Sequence, residues 1–207
     1  MKFIIATNNP KKLKELERIL NPLGINAVSA KSEGISLDDV EETGTTFAEN
    51  AFIKAEAAYK KTGLPSVADD SGLCVDALDG RPGIFSARYA GENATDEDKN
   101  NKLLTELKDV PEKDRTAHFS CAICCILPNV DKIEVDGICE GSIAFEPHGN
   151  GGFGYDPIFK YGDKRYAELS SDEKDAVSHR GKALRKLKAE LEKYLENNRK
   201  DLVYADK

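Results

Sequence analysis

The chain has 207 residues, with 30 Lys and Arg against 37 Asp and Glu, so its formal net charge is −7 and its pI is about 5.2. Hydrophobic residues make up 40% and charged residues 32%, which is typical of a soluble globular protein rather than a disordered one. The acidic excess argues against a general nucleic-acid-binding surface. No apolar run approaches the roughly 20 residues that a membrane span needs, so we expect neither nucleic acid nor a membrane as a partner.

The N-terminal segment predicts a strand, a polar turn and a helix. Lys2–Ala6 is a short apolar strand. Asn9 is a natural N-cap with Pro10 at the first helical position. Apolar residues then recur at helical spacing until Gly24, and a second strand follows over 25–29.

The next segment carries a second helix and two expected strands. A capping box at 46–49 predicts a helix that continues to about Lys61. A strand over 65–69 is expected to enter a turn at 70–72, and a further strand is expected over 73–78.

Strands dominate the later part of the chain. The pattern predicts a helix over 96–107, two long strands over 116–127 and 132–140, and another strand over 142–145. A capping box at 170–173 predicts a short helix, and this final helical region is interrupted at 178–180. Helices that alternate with strands, followed by a strand-rich part, favour an α/β fold with a long mixed sheet.

The cysteines suggest a compartment rather than a site. Their odd number and the lack of an export signal favour a reducing cytoplasm. The pair Cys121-x-x-Cys124 invites a zinc or redox interpretation, but it has no second pair and lies in an apolar run typical of a buried strand. The cysteines stand at positions 74, 121, 124, 125 and 139.

A first candidate site is the polar turn before the first helix. A helix N-terminus offers free backbone N–H groups and a positive dipole end, which bind anions. Lysines in a first turn are locally unfavourable, and a bound phosphate would compensate for them; the alternative is that they are solvated surface charges. The turn consists of Thr7, Asn8, Asn9, Pro10, Lys11 and Lys12.

A second candidate site is rich in carboxylates. Glu41 and Glu42 precede the capped helix, and Asp69 and Asp70 end a predicted strand. Neighbouring carboxylates repel unless a cation or a proton is shared, and oxygen ligands without His or Cys favour magnesium or manganese. Each pair alone is also compatible with ordinary turn or helix-flanking charge. Lys54 lies beside the apolar stripe of its helix, where it either extends to solvent or meets an anion.

The third candidate region lies near the C-terminus. Glycines on both sides of Phe153 leave its ring open to a planar ligand such as a nucleobase. Lys174, His179 and Arg180 offer donors to carbonyl or phosphate oxygens. A core phenylalanine in a turn and ordinary helix-surface charge are the alternatives.

Together these segments resemble the inosine/xanthosine triphosphate pyrophosphatase family over about residues 2–190. Asn8 stands where many members carry glycine. The motifs that carry the resemblance are Thr7-x-Asn9-x-x-Lys12, Glu41-Glu42-x-Gly44-x-x-Phe47-x-Glu49-Asn50-Ala51-x-x-Lys54-Ala55, Ala68-Asp69-Asp70-Ser71-Gly72-Leu73, Pro82-Gly83-Ile84-Phe85-Ser86-Ala87-Arg88-Tyr89, Gly151-Gly152-Phe153-Gly154-Tyr155-Asp156-Pro157 and Ser178-His179-Arg180-Gly181.

The resemblance implies an activity and an architecture. Members hydrolyse 6-oxo purine nucleoside triphosphates (ITP, dITP and XTP) to the monophosphate and pyrophosphate, which cleanses the nucleotide pool. It implies one Mg²⁺ per subunit, with Mn²⁺ as a substitute, and a homodimer. The implied fold is an elongated mixed β-sheet flanked by helices, with two lobes around a central cleft. We expect residues 1–197 to form this single domain and 198–207 to be a C-terminal tail.

The resemblance also implies roles for individual residues. The 7–12 turn matches the phosphate-binding segment, and Lys54 matches a lysine that faces the phosphates. Glu41 and Asp70 match the metal ligands, and Asp70 also matches the proposed proton acceptor. The matched substrate contacts are Ser71, the base-binding loop Phe153, Gly154, Tyr155 and Asp156, and the donors Lys174, His179 and Arg180.

The sequence leaves several alternatives open. Formation of a monophosphate means attack at the α-phosphorus, with either Asp69 or Asp70 as the base. Donors from His179 and Arg180 would favour a 6-oxo base over adenine. The rival functions are a Maf-like pyrophosphatase for other bases, a nucleotide sensor without turnover, and a structural α/β domain.

Overall fold

The computed structural model describes residues 1–7, 9–128 and 131–198. Its strands are β1 Lys2–Ile5, β2 Asn26–Ser29, β3 Ser66–Val75, β4 Thr116–Ile126, β5 Lys132–Ile143, β6 Phe159–Tyr161 and β7 Lys164–Arg165. Its α-helices are α1 Pro10–Leu20, α2 Phe47–Thr62, α3 Asp96–Glu106, α4 Ser171–Val177 and α5 His179–Asn197.

The strands within these residues form one mixed sheet in the order β2-β1-β3-β4-β5-β6-β7. β1 is parallel to both neighbours, with Ile4 opposite Val28 of β2 and Ser66 of β3. β6 is antiparallel to β5 and β7, and its Lys160 pairs with Ser142 and Arg165. The predicted α/β fold with a mixed sheet flanked by helices is therefore confirmed.

The chain divides into two compact units, which are each built from separate segments. Unit 1 contains 1–69, 122–135 and the chain from 183 onwards, and unit 2 contains 70–121 and 136–182. Unit 1 has a core of small residues, since α2 contributes three fully buried alanines. The core of unit 2 is built from leucines and aromatic rings. The small and aromatic core residues in question are Ala51, Ala55 and Ala58 in unit 1, and Phe119, Phe159 and Tyr166 in unit 2.

The predicted helix starts are confirmed by their caps. Asn9 precedes α1, with Pro10 at its first position. Thr46 and Glu49 form a complete capping box at α2, and the predicted box at 170–173 is complete at α4. Because each cap satisfies backbone N–H groups that would otherwise lack a partner, short local patterns were sufficient to predict these boundaries.

Two predicted strand breaks are wrong. The chain does not turn at 70–72, since β3 continues through Asp70 and Gly72 to Val75. The strand expected separately over 142–145 belongs partly to β5, which runs through Gly141. A Cβ atom at Gly141 would lie 2.2 Å from the carbonyl oxygen of Lys160, so this glycine marks a close approach between strands and not an end.

The cysteines pack as small apolar residues. All of them are free thiols. Cys121 and Cys124 are buried within β4, where residues three apart point to opposite faces and cannot share a metal. Burial raises the pKa of Cys124 to about 12, which makes its thiol inert. The interpretation as a buried strand is confirmed.

Among the described residues, no helix combines the length and apolarity needed to cross a bilayer. Apart from Asn198, the tail predicted at 198–207 lies outside the described residues.

Candidate active site

The polar turn before α1 is organised by the side chain of its N-cap. Asn9 Oδ1 accepts hydrogen bonds from the backbone N–H of Lys11 at 2.9 Å and of Lys12 at 3.4 Å. The backbone N–H of Asn9 donates to Thr7 Oγ1 at 3.1 Å. The turn therefore has a defined conformation, while Asn8 lies outside the described residues.

The anion that compensates Lys12 comes from the chain itself. Lys12 Nζ lies 2.9 Å from Asp69 Oδ2, and the Asp69 side chain is only 1% exposed. A carboxylate this deeply buried needs a cation or a proton, because burial disfavours its charged form. The ion pair joins the first turn of α1 to β3, whereas Lys11 is exposed.

Lys54 meets an anion rather than extending to solvent. Its Nζ lies 3.2 Å from Glu42 Oε2. The segment that carries Glu42 folds back on α2, since Gly44 N–H donates to Asn50 Oδ1 at 2.9 Å. A Cβ atom at Gly44 would lie 2.6 Å from that same oxygen, so only glycine permits this approach. Glu41, the predicted metal ligand, is exposed.

The two aspartates of β3 have different surroundings. Asp69 and Asp70 are both buried polar residues. Successive side chains of a strand point to opposite faces, so the two carboxylates diverge, and Asp69 engages Lys12. The ion pair with Lys12 is a partnership of Asp69 that the sequence did not predict.

Asp156 organises the glycine-rich loop in unit 2. Its Oδ2 accepts from the backbone N–H of Phe153 at 2.8 Å and pairs with Lys174 Nζ at 2.5 Å. Gly152 has a φ of +72°, and a Cβ atom there would lie 1.9 Å from Asp156 Oδ2. The loop can close over this buried carboxylate only because position 152 is glycine. Tyr155 donates to the backbone carbonyl oxygen of Ser86 at 2.9 Å.

Cations surround the ring of Phe153. Lys174 Nζ lies 4.8 Å from its centroid, and Arg180 Cζ lies 5.9 Å away. Lys174 Nζ is also 5.4 Å from the ring centroid of Tyr166. These distances are within the range of cation–π attraction. The Phe153 ring, which the sequence predicts to stack on a base, therefore lies beside two positively charged side chains.

The break between α4 and α5 places Arg180 and His179. Ser178 is extended, and its Oγ accepts from Gly181 N–H at 3.0 Å. Arg180 Nη2 donates to Ser71 Oγ at 2.8 Å. The imidazole of His179 stacks on Phe119 with 4.6 Å between ring centroids and 10° between planes. The predicted interruption of the helix is confirmed.

The predicted site residues thus fall into two local groups. Within the described part of the chain, no group of three or more His, Cys, Asp or Glu side chains is arranged to hold a metal ion. The group in unit 1 contains Thr7, Asn9, Pro10, Lys11, Lys12, Glu41, Lys54 and Asp69, and the group in unit 2 contains Asp70, Ser71, Phe153, Gly154, Tyr155, Asp156, Lys174, His179 and Arg180.

Sequence reasoning missed several supporting residues. Glu42 was included in the carboxylate-rich candidate site, but its ion pair with Lys54 was not predicted. Asp96 and Asn100 bind the loop at Gly154 from 58 and 54 residues away, and Phe119 of β4 stacks on His179 of α5. Contacts between residues so far apart in the sequence cannot be predicted from a local sequence pattern.

Comparisons with known proteins give one consistent result. The model of the Ham1 family matches residues 3–190. A dITP/XTP pyrophosphatase of Halalkalibacterium halodurans is 51% identical over 187 residues, which cover 89% of this chain and 96% of that protein. One from Bacillus subtilis is 51% identical over 191 residues, covering 91% of this chain and 96% of that protein.

Solved structures agree with these relatives. The structure of a HAM1 protein from Coxiella burnetii matches with a TM-score of 0.86 at 44% identity, covering 93% of this chain and 99% of that chain. The nucleoside-triphosphatase / dITP/XTP pyrophosphatase of Mycobacterium abscessus matches with a TM-score of 0.76 at 47% identity, covering 90% and 98%. These identities are high enough that the similarity extends beyond the fold.

Proposed function

The chain belongs to the Ham1 family, and we propose that it is a nucleoside-triphosphate pyrophosphatase. It hydrolyses the deaminated 6-oxo purine nucleotides ITP, dITP and XTP to the monophosphate and pyrophosphate, and so removes them from the nucleotide pool. The observation that carries the proposal is 51% identity, over nine-tenths of the chain, to proteins named dITP/XTP pyrophosphatase.

The triphosphate is bound by the cationic residues of unit 1. Lys12 and Lys54 neutralise non-bridging oxygens. The backbone N–H groups of Lys11 and Lys12 already donate to Asn9 Oδ1, so the proposed binding depends on side-chain charge rather than on N–H groups without a partner. Both lysines are already held by carboxylates, at 2.9 Å and 3.2 Å. Because these partners fix the ammonium groups before the substrate arrives, less conformational entropy is lost on binding.

The family resemblance implies a divalent cation held by two carboxylates. The proposed ligands are Glu41 and Asp70, with Mg²⁺ as the ion, one per subunit, and Mn²⁺ as a substitute. Mg²⁺ is commonly held by only one or two carboxylates, with water and substrate phosphates completing its shell. The absence of a larger acidic cluster among the described residues is therefore compatible with this ion. When bound, Mg²⁺ supplies charge neutralisation at the phosphates.

Asp70 accepts the proton of the water that attacks the α-phosphorus. The carboxylate of Asp69 is engaged by Lys12, and a neighbouring cation makes a carboxylate a weaker base. We propose Asp70 as the proton acceptor because the family resemblance matches it to that role. The bond between the α-phosphorus and the bridging oxygen breaks, pyrophosphate leaves, and the water oxygen remains on the monophosphate.

The base is recognised by residues of unit 2. Phe153 stacks on the purine, and His179 and Arg180 aim donors at its O6 atom, with Lys174 and Ser71 as further contacts. A 6-oxo purine accepts such hydrogen bonds, whereas adenine presents an amine and leaves a donor unpaired, which costs about 1–3 kcal/mol.

We further propose that the protein is a homodimer in the cytoplasm. Its free cysteines suit a reducing compartment, and the family resemblance implies the dimer. Light scattering after size-exclusion chromatography tests the assembly: a mass near twice 22.7 kDa is expected, and a monomer would contradict it.

A substrate panel tests the function. Purified protein is assayed for pyrophosphate release from ITP, dITP, XTP, GTP, ATP and CTP, with Mg²⁺ and with EDTA. We expect release from ITP, dITP and XTP but not from ATP or CTP, and its loss in EDTA. GTP also carries O6, so its rate measures how far the 2-amino group of guanine opposes binding. Preference for other bases would favour a Maf-like enzyme, and nucleotide binding without release would favour a sensor.

A further inference from the structure

Both backbone groups of Gly154 are hydrogen-bonded by α3. Its N–H donates to Asp96 Oδ2 at 2.6 Å, and its carbonyl oxygen accepts from Asn100 Nδ2 at 3.1 Å. Asp96 and Asn100 are four residues apart and therefore share one face of the helix. A single helical surface thus presents an acceptor and a donor to the two successive peptide groups on either side of the Gly154 Cα atom.

Gly154 is a position where such anchoring matters. Its φ is +62°, in the left-handed region, and Gly152 on the other side of Phe153 has a φ of +72°. Glycine loses more conformational freedom on ordering than any other residue. A phenylalanine between two glycines has no fixed position unless other groups fix the backbone on both sides.

Asp156 bonds to the backbone on both sides of Phe153. It accepts from the Phe153 N–H at 2.8 Å and donates its own N–H to the Phe153 carbonyl oxygen at 3.2 Å. The contacts from α3 bind the N–H of the peptide group that follows Phe153 and the carbonyl oxygen of the peptide group after it. The direction of the Phe153 ring therefore depends on two supports, of which one lies within the loop and the other more than 50 residues away.

The burial and hydrogen bonding of Asn100 indicate that it does more than fill space in the core. It is 5% exposed, and within the described ranges its Oδ1 accepts no hydrogen bond. A buried polar atom without a partner costs free energy, so an apolar residue would fill the same space more favourably. The contact of its Nδ2 with the Gly154 carbonyl oxygen explains why an amide stands here.

We propose that Asp96 and Asn100 are positioning residues that set the Gly154 peptide and, through it, the ring of Phe153 on which the base stacks. This inference rests on the proposed function for its effect on the substrate. The placement of the loop itself does not depend on it. Neither residue needs to touch the nucleotide.

Matched variants separate this role from general stability. Asn100→Asp keeps the shape but turns an oxygen toward the Gly154 carbonyl, and Asp96→Ala removes the acceptor at a half-exposed position. Glu97→Ala is the control, because it removes an exposed acid from the same helical turn. We expect the KM for ITP to rise about tenfold in the first two variants with kcat little changed, and no change in the control.

Inhibition constants provide a readout that a purely structural role would not move. Inosine monophosphate should inhibit Asn100→Asp and Asp96→Ala about tenfold more weakly than wild type. Inorganic tripolyphosphate, which has no base, should inhibit all variants equally. Equal weakening of both inhibitors, or of neither, would overturn the proposal.

Hydrogen exchange of the free protein tests the support without any substrate. Amides of residues 149–157 should exchange faster in Asp96→Ala and Asn100→Asp than in wild type and Glu97→Ala, with the rest of unit 2 unchanged. Unchanged exchange in this loop would contradict the proposal. Lack of ITP hydrolysis by wild type would instead refute the proposed function, so the two failures are distinguishable.

Discussion

The turn before α1 and the glycine-rich loop of unit 2 are both proposed to bind parts of one nucleotide, yet contacts of different range hold them. In the turn, Asn9 caps residues two and three positions ahead. In the loop, Gly154 is held by residues of α3 that lie more than 50 positions away in the sequence. Elsewhere in unit 2, Arg180 donates to Ser71, which is 109 positions away.

This difference has a physical consequence. A capped helix start forms from its own sequence and needs little support from the rest of the unit. A glycine-rich loop has many accessible conformations, so tertiary contacts must select one of them. We therefore expect substitutions near the turn to act through charge, and substitutions near the loop to act through position.

The largest effect is expected at the two aspartates of β3. Asp70→Asn should lower kcat on ITP by about 10³-fold, because it removes the proposed proton acceptor. Asp69→Asn should have a smaller effect, since its role is to hold Lys12. Steady-state assays of both variants make the test, and near-wild-type turnover by Asp70→Asn would remove the assignment.

Lys12→Met should destabilise the protein as well as weaken phosphate binding. It leaves the buried carboxylate of Asp69 without its cation, at a cost of about 3 kcal/mol in the free energy of unfolding. Urea unfolding measures this cost, and Lys60→Met is the control. Lys60 pairs with Glu56 at the surface, where the expected loss is below about 0.5 kcal/mol.

The double variant Lys12→Met/Asp69→Asn sharpens the same comparison. In the double variant Asp69 no longer carries a buried negative charge. Most of the stability lost in Lys12→Met should therefore return, while ITP hydrolysis stays impaired. A double variant that is no more stable than Lys12→Met alone would show that the ion pair does not account for the loss.

On the base side, Arg180→Ala should narrow the preference for ITP over ATP by about tenfold in kcat/KM. In the wild type the guanidinium of Arg180 lies near the Phe153 ring and presents its donors to O6. Alanine has no such donors. Arg180→Lys keeps the charge but loses the planar fork, so it should retain affinity for ITP better than the alanine variant while discriminating poorly. An unchanged ratio in both variants would refute the role of Arg180.

The smallest effect concerns acid stability. Hydrogen bonds from Thr45 lower the pKa of Glu49 below 4.5, and those from Thr95 lower the pKa of Asp98 below 3.8. A lowered folded-state pKa contributes stability above the unfolded-state pKa and loses it as pH falls through the folded-state value. Thermal melting should therefore show Tm falling from about pH 5 downward.

Glu49→Gln tests the origin of that acid dependence. Glutamine can still close the capping box but cannot titrate, so Tm should depend less steeply on pH below about 5 in this variant. An identical slope would mean that other carboxylates dominate the acid response.

The features that the sequence predicted correctly depend on contacts between residues that are close together in the chain. The caps at Asn9, Thr46 and Ser170 and the break at Ser178 were all recognisable from a few neighbouring residues. The turn expected at 70–72 failed because pairing within the sheet overrode the turn preference of Ser71 and Gly72.

Side-chain partnerships were less predictable. Nothing local indicated that Lys12 would pair with Asp69 or Lys54 with Glu42. These partners come from other elements, so they become visible only when the sheet and helices are assembled. The residues of the site were recognisable by motif, but the groups that hold them were not.

The central claim is that water attacks the α-phosphorus of ITP. The most direct test is to hydrolyse ITP in ¹⁸O-labelled water and to determine which product contains the labelled oxygen. Attack at the α-phosphorus predicts one labelled oxygen in inosine monophosphate, unlabelled pyrophosphate, and little reaction with ATP under the same conditions. Label in pyrophosphate, release of inorganic phosphate, or equal turnover of ATP would contradict the assignment.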